Sequence, residues 1–166
     1  MILSYSKPEF KGLILGGDKI HTLREDKSDR WKPGMSIQHW LGNPRNVSKN
    51  PHQFHEGVMQ NWQAVKVFRS DWGSEGFAVA IKIKPNEHFT KDQFLNNDSV
   101  VHESIVLFTG AMLQMFCHND GLTKMDFKNW FLSENESWLG KILHFTPNIY
   151  KVIPTLGVHF AAPFPV

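Results

Sequence analysis

The sequence is poor in cysteine, which excludes a disulfide framework. Its 166 residues include one cysteine, Cys117, so no disulfide can form within the chain and an oxidising compartment gains no support. The apolar neighbours Met115 and Phe116 predict a buried, inert thiol. A nucleophilic cysteine would need a setting that lowers its pKa.

The sequence also lacks long hydrophobic runs and a surplus of one charge. No stretch approaches the ~18 apolar residues of a membrane span, and residues 1–12 lack the basic and apolar regions of a signal peptide. We therefore expect a cytoplasmic protein with no membrane partner. The formal net charge of +2 is too small to argue by charge alone for binding along a nucleic-acid duplex, although a small or single-stranded ligand stays open. Nothing indicates the oligomeric state.

Aromatic residues are abundant, with the exception of tyrosine. The chain has 13 Phe and six Trp but two Tyr, and 41% of its residues are hydrophobic. This composition predicts a single domain with a packed, β-rich core and some rings left over for stacking on a ligand.

The first 56 residues predict a helix followed by strands and a loop. Pro8 and Glu9 are typical of a helix start, and the two glycines at 16–17 predict the end of that helix. Three apolar residues lie between them at helical spacing: Phe10, Leu13 and Ile14. Residues 19–24 are predicted to be extended, 30–34 to turn and 35–41 to form a strand. The polar, Asn- and Pro-rich segment 42–56 predicts an insertion loop.

The remaining chain predicts further strands, two helical segments and an irregular end. Each segment follows from its periodicity and turn residues: strands at 57–70 and 76–84 joined by a turn at 71–73, helical structure at 98–116, a helix at 123–131 and a strand at 140–145. Residues 151–166 contain three prolines and predict irregular backbone. The domain is therefore assigned to residues 1–150, with a C-terminal tail at 151–166.

The order of the motifs resembles the ASCH domain family. The motifs that carry the resemblance are Gly17-Asp18-Lys19-Ile20-His21-Thr22-Leu23-Arg24-Glu25, Arg30-Trp31-Lys32-Pro33-Gly34, Asn119-Asp120-Gly121-Leu122 followed by Phe127 and Trp130-Phe131, and Gly140-Lys141-Ile142-Leu143-His144-Phe145. The resemblance covers most of residues 1–146, although 86–112 fit it poorly. It implies an α+β fold, a PUA-like β-barrel with flanking helices.

The resemblance also implies a function. PUA-like domains hold RNA or modified bases against a small barrel, and some small bacterial ASCH proteins are amidohydrolases that remove the acyl group from N4-acetylcytidine without a cofactor. Lys19 and Thr22 occupy the places of the catalytic Lys and Thr of those enzymes. The catalytic carboxylate, a Glu in the enzymes, is Asp120 here, and Glu103 is the alternative acid.

Amide hydrolysis assigns a role to each of these residues. Thr22 is predicted to be the nucleophile, Lys19 its general base and later acid, and Asp120 the group that orients Lys19. A Lys is a base only if its pKa falls toward neutrality, which burial or a neighbouring cation such as His21 or Arg24 would cause. Arg24 is predicted to hold the pyrimidine oxygen or the oxyanion. Lys19 and Thr22 can face one cleft only if the chain turns at 17–18, before the regular strand.

Two other functions fit the same sequence. The first is non-catalytic binding of RNA or a modified base. The same cleft would use Arg24, Arg45 and exposed tryptophans such as Trp31 as stacking platforms. The second is an interaction protein from a mobile element, which would use the insertion loop and the tail. Neither function involves a metal site.

Each candidate residue also has a purely structural interpretation. Lys19 would be a solvated charge, Thr22 a β-former, and Arg24 a member of a surface ion pair with Glu25 or Asp26. The H-x-x-H spacing of residues 52–55 lacks a firm third ligand, which favours a solvated loop over a metal site.

Overall fold

The computed structural model describes residues 1–71, 74–89, 105–153 and 157–161, and over these ranges the chain is a mixed α+β protein. The strands are β1 (Ile2–Tyr5), β2 (His21–Arg24), β3 (Ser36–Leu41), β4 (His52–Val58), β5 (Asn61–Arg69), β6 (Phe77–Lys82), β7 (Ile105–Phe108), β8 (Ser137–His144), β9 (Ile149–Ile153) and β10 (Gly157–Ala161). The helices are α1 (Glu9–Gly16), α2 (Gly110–Asn119) and α3 (Lys124–Leu132), and a 3₁₀ turn spans Val47–Lys49.

The strands form a large antiparallel sheet, a smaller mixed sheet and a hairpin. The large sheet has the order β2-β8-β5-β6-β7, and the small one has the order β1-β3-β4 with β1 parallel to β3. Every residue of β6 is buried, and so are Val65 and Val67 of β5. The core therefore lies against the middle of the large sheet, while β2 forms one of its edges.

Helix α1 begins and ends where the sequence predicts. Pro8 has φ −59° at the N-cap, and Gly17 ends the helix in the left-handed region at φ 82°. The amides of Asp18 and Lys19 then both donate to the Leu13 carbonyl, at 2.9 and 3.0 Å. The chain therefore turns sharply before β2, and Lys19 precedes the regular strand.

The turn between α2 and α3 is set by two capping motifs. At the end of α2, Gly121 has φ 76°, and its amide donates to the His118 carbonyl while that of Leu122 donates to Cys117. These two bonds make a Schellman motif, which places Asp120 at the C-cap. Thr123 then caps α3 by accepting from the Asp126 amide at 3.1 Å, and the predicted helix at 123–131 is confirmed.

Two segments differ from their predictions. The last third of the expected loop at 42–56 belongs to strand β4, an edge strand whose polar residues make it loop-like in composition. Within the segment 98–116, residues Ile105–Phe108 form β7 rather than helix, because they pair with β6. Helix α2 begins at Gly110, and residues 98–104 lie outside the described ranges.

The prediction of an irregular tail is wrong for the residues the structure describes. Residues 151–153 continue β9, which pairs with β10 as an antiparallel hairpin. The Cys117 thiol is buried as predicted, and burial raises its pKa to about 12. Among the described residues no helix is long and apolar enough to cross a membrane.

Candidate active site

Lys19 is buried at the turn between α1 and β2, with its ammonium group enclosed. Its Nζ donates to Asp120 Oδ1 at 2.8 Å and also to the Asp120 main-chain carbonyl. The Nζ also lies 4.5 Å from the centre of the Phe10 ring and 6.0 Å from that of Tyr5. The side chain is fully buried, so Asp120 and the two rings take the place of water around the charge.

Gly121 allows Lys19 and Asp120 to approach. A Cβ at this position would lie 3.0 Å from Leu13 Cδ1 and 3.3 Å from Lys19 Cδ, and φ is positive. Any side chain here would therefore strain the backbone and press on the Lys19 arm. The Asp-Gly-Leu motif brings the carboxylate to Lys19 and makes room for the Lys stem.

The pKa of both partners departs from its usual value. Burial lowers the pKa of Lys19, against the opposing attraction of Asp120, and the charge of Arg24 lowers it further. Burial alone would raise the pKa of Asp120, but the Lys19 charge and the contact with His21 outweigh burial and lower it. A lowered pKa makes a Lys a better general base, whereas the carboxylate opposes that shift and fixes where the amine points.

His21 lies beside the pair but does not supply a cation. Its Nδ1 is 3.6 Å from Asp120 Oδ1, too far for a hydrogen bond, and its Nε2 lies 2.8 Å from the Tyr150 hydroxyl. Burial lowers the pKa of His21, so the imidazole is neutral near pH 7. Of the two predicted neighbouring cations, only Arg24 acts on Lys19 as one.

A buried glutamine fixes Tyr150 in place. Gln63 Nε2 donates to the Tyr150 carbonyl at 3.0 Å, and its Oε1 accepts from the Tyr150 amide at 2.9 Å. The same Oε1 lies 3.0 Å from His144 Nε2. Strand β9 is thus attached to β5 through one fully buried side chain.

Arg24, at the end of β2, contacts main-chain carbonyls and the Tyr5 ring. Its guanidinium donates to the carbonyls of Leu23 (2.9 Å) and Ser4 (3.2 Å) and lies 5.6 Å from the centre of the Tyr5 ring. The alternative of a surface ion pair with Glu25 or Asp26 is wrong, since neither carboxylate contacts Arg24 within the described ranges. Arg24 and Lys19 therefore share the Tyr5 ring.

Tyr5 and His39 complete this side of the site. The Tyr5 hydroxyl lies 3.0 Å from His39 Nδ1, and burial raises the pKa of that phenol. Burial, with His55 and then Lys19 and Arg24 adding to it, lowers the pKa of His39 to about 4. Both groups are therefore neutral near pH 7.

Thr22 is buried on β2 without the predicted contact. It pairs with Leu143 across the sheet and is 2% exposed, and within the described ranges no hydrogen bond joins it to Lys19. The turn at Gly17, which a shared cleft requires, is confirmed. The Lys19 arm is directed to Asp120 instead.

The two remaining predicted binding residues do not join the site. Trp31 is 5% exposed and belongs to the core, so the prediction that it offers an exposed stacking face is wrong. Arg45 lies in the exposed loop after β3, where its amide donates to Asn43, and its side chain contacts no site residue among those described. Glu103 lies outside the described ranges. No group of three or more His, Cys, Asp and Glu in the described ranges is placed to hold a metal ion.

Sequence reasoning missed four residues that contact Lys19 or hold the neighbours of the ion pair in place: Tyr5, His39, Gln63 and Tyr150. The rarity of tyrosine was one signal in the sequence. The chain has two tyrosines, and both are buried at this site. Comparison of the chain with protein-family models, curated proteins and solved structures found no match.

Proposed function

We propose that this chain is an ASCH-like domain with a PUA-like barrel, and that it acts in the cytoplasm as an amidohydrolase on N4-acylated cytosine nucleosides. One observation carries the proposal. Lys19 and Asp120, which the resemblance alone selects as the catalytic Lys and carboxylate, are 101 residues apart in sequence and form a buried ion pair at 2.8 Å. The motif order and the flanking helices support the fold assignment.

The proposed reaction begins with the neutral amine of Lys19. When Lys19 loses its proton, its attraction to Asp120 weakens and the arm is free to turn toward Thr22. The Thr22 hydroxyl attacks the acyl carbon, and its proton passes to Lys19 Nζ. The tetrahedral intermediate then collapses, the bond between the acyl carbon and N4 breaks, and Lys19 returns the proton to N4 of the leaving cytidine.

Water completes the cycle. It attacks the acyl ester on Thr22 with Lys19 again as base, which releases acetate and restores the hydroxyl. Asp120 orients the Lys19 ammonium in both halves, and Arg24 offers its guanidinium to the oxyanion or to the pyrimidine oxygen. Burial supplies the low dielectric that strengthens these interactions.

The test is to incubate the purified protein with N4-acetylcytidine. The loss of the acylated chromophore is monitored, and the cytidine and acetate released are quantified. We expect cytidine and acetate in equal amounts. Binding of the nucleoside without turnover, measured by calorimetry, would instead support the non-catalytic base-binding function. The absence of both would overturn the proposal.

A further inference from the structure

Tyr150 lies beyond residues 1–146, which carry the family resemblance, yet its hydroxyl reaches the ion pair through His21. It lies 2.8 Å from His21 Nε2, and the other ring nitrogen faces Asp120 Oδ1 at 3.6 Å. We infer that Tyr150, acting through His21, is a positioning residue: it fixes the tautomer of His21 whose N–H faces the Asp120 carboxylate and draws part of that charge away from Lys19. Its effect on rate rests on the proposed function, but the arrangement itself does not.

The hydrogen-bond partners determine the tautomer. A neutral imidazole carries one N–H, and a proton on Nε2 would leave a lone pair of Nδ1 facing the Asp120 carboxylate. Repulsion at 3.6 Å disfavours that state, and a Tyr150 hydroxyl that donates to Nε2 disfavours it further, so the proton lies on Nδ1. Asn119 Nδ2 donates to the Tyr150 oxygen at 3.1 Å, and the phenolic O–H then donates to His21 Nε2.

Tyr150 can fix this tautomer because its own position is determined. Gln63 binds both its amide and its carbonyl, and its ring packs against Phe108 and Phe116 with centroids 5.1 and 5.3 Å away. The titratable and charged groups that face the network come from several elements and turns: Lys19, Arg24, Asp120, Cys117, His144, Tyr5 and His39. Of these, Lys19 and Asp120 form the ion pair nearest to His21.

Removing the Tyr150 hydroxyl releases this constraint. In Tyr150→Phe, Nε2 loses the donor that stabilises the Nδ1–H tautomer, and only the repulsion by Asp120 at 3.6 Å still favours it. Part of the His21 population then carries its proton on Nε2, where Asp120 has no N–H facing it. The full carboxylate charge acts on Lys19, so the pKa of the Lys19 ammonium rises and more of the base is protonated. The acid limb of the pH profile of kcat/KM should therefore move to higher pH, and kcat/KM on that limb should fall.

The decisive experiment reads the tautomer directly in the full chain without substrate. Imidazole ¹⁵N shifts of labelled protein are assigned for the wild type, Tyr150→Phe and Tyr5→Phe. Tyr5→Phe is the matched control, because it removes the other buried tyrosine hydroxyl, which contacts His39 rather than His21. We expect an Nδ1–H tautomer for His21 in the wild type and in Tyr5→Phe, and a mixed or Nε2–H state in Tyr150→Phe.

Two results would overturn the inference. One is an Nε2–H tautomer in the wild type, a result that does not depend on the folding of any variant. The other is an unchanged His21 tautomer in folded Tyr150→Phe. Because no deacylation is measured, an inactive protein with the expected tautomers would contradict the proposed function and leave this inference standing.

Discussion

The Lys19 ammonium and the Asp120 carboxylate meet at 2.8 Å in the buried space between two turns. The first turn leads from α1 into β2 and the second from α2 toward α3, so the ion pair joins two parts of the fold as well as two chemical groups. Neither residue can be removed alone without leaving an uncompensated polar group in the interior.

The first prediction is that Lys19 and Asp120 are strongly coupled in stability. Lys19→Met leaves the carboxylate buried without its cation, and we expect the free energy of unfolding to fall by about 3–5 kcal/mol. The double variant Lys19→Met/Asp120→Asn should be more stable than the sum of the two single changes predicts, by about 1–3 kcal/mol. Urea denaturation at pH 7 measures this cycle, and additive effects would show that the ion pair does not form.

The second prediction is acid lability caused by buried neutral histidines. The pKa of His39 is about 4 in the folded chain, against the usual 6.5 of a solvated histidine. Because folding lowers the pKa of His39, the unfolded chain takes up a proton at a higher pH than the folded chain does. The contribution to the free energy of unfolding is therefore full above pH 6.5 and is lost as pH falls toward 4. The lowered pKa values of His21 and His144 act in the same direction.

Urea denaturation at pH values from 7 to 4 checks this prediction. His39→Gln should show a shallower loss of stability over that window, whereas His52→Gln, at an exposed position of β4, should follow the wild type. An equal slope in wild type and His39→Gln would contradict the burial of a neutral His39.

The third prediction concerns a second buried lysine. Lys141 Nζ lies 2.8 Å from Asp26 Oδ2, also binds Asp29, and lies 4.1 Å from the centre of the Trp62 ring. Hydrogen bonds from Lys141 and then Lys32 lower the pKa of Asp29. Burial would raise the pKa of Asp26, but the Lys141 bond and two backbone amides lower it. This ion-pair stabilisation is present above about pH 3.8 and is lost as pH falls below that value.

Lys141→Met should lower the free energy of unfolding at pH 7 by about 2–3 kcal/mol, the scale of hydrogen bonds to charged groups. The loss should be smaller at pH 3. Lys27→Met, which removes an exposed lysine paired with Glu25, is the matched control and should change little. A pH-independent effect of Lys141→Met would assign its role to packing on Trp62.

Local rules explain which parts of the fold could be predicted. Helices α1 and α3 follow from Pro8, Gly17 and the Thr123 cap, each of which acts within a few residues. Strand β4 was missed because an edge strand need not alternate between apolar and polar residues. At 105–108 helical spacing and β-branched residues conflict, and pairing with β6 decides for a strand.

The candidate site was predictable only in its motifs. Lys19 and Asp120 came from the family resemblance, since no local pattern joins residues 101 positions apart. Tyr150 was missed because Gln63, 87 residues away, fixes its position. The burial of Trp31 likewise depends on tertiary packing, which a turn motif does not reveal.

The fourth prediction distinguishes between Asp120 and Glu103 as the carboxylate that orients Lys19 for the reaction. Asp120→Asn keeps the shape and an acceptor but removes the charge that holds Lys19. It should therefore lower kcat/KM for N4-acetylcytidine by at least ~10² while the chain stays folded. Glu103→Gln is the comparison and should keep near-normal kcat/KM. The reverse result would move the role to Glu103, and unchanged kcat/KM in both variants would show that neither carboxylate is needed for the reaction.

The most direct test of the proposed hydrolysis is to measure kcat/KM for N4-acetylcytidine in the wild type, Thr22→Ala and Thr22→Ser. Circular dichroism checks that each protein is folded. We predict that the wild type releases cytidine and acetate, that Thr22→Ala loses at least ~10² in kcat/KM, and that Thr22→Ser, which keeps a hydroxyl, retains much of it. Near-normal turnover by folded Thr22→Ala would contradict the assignment of Thr22 as nucleophile. A wild-type protein that releases no cytidine would contradict the account as a whole.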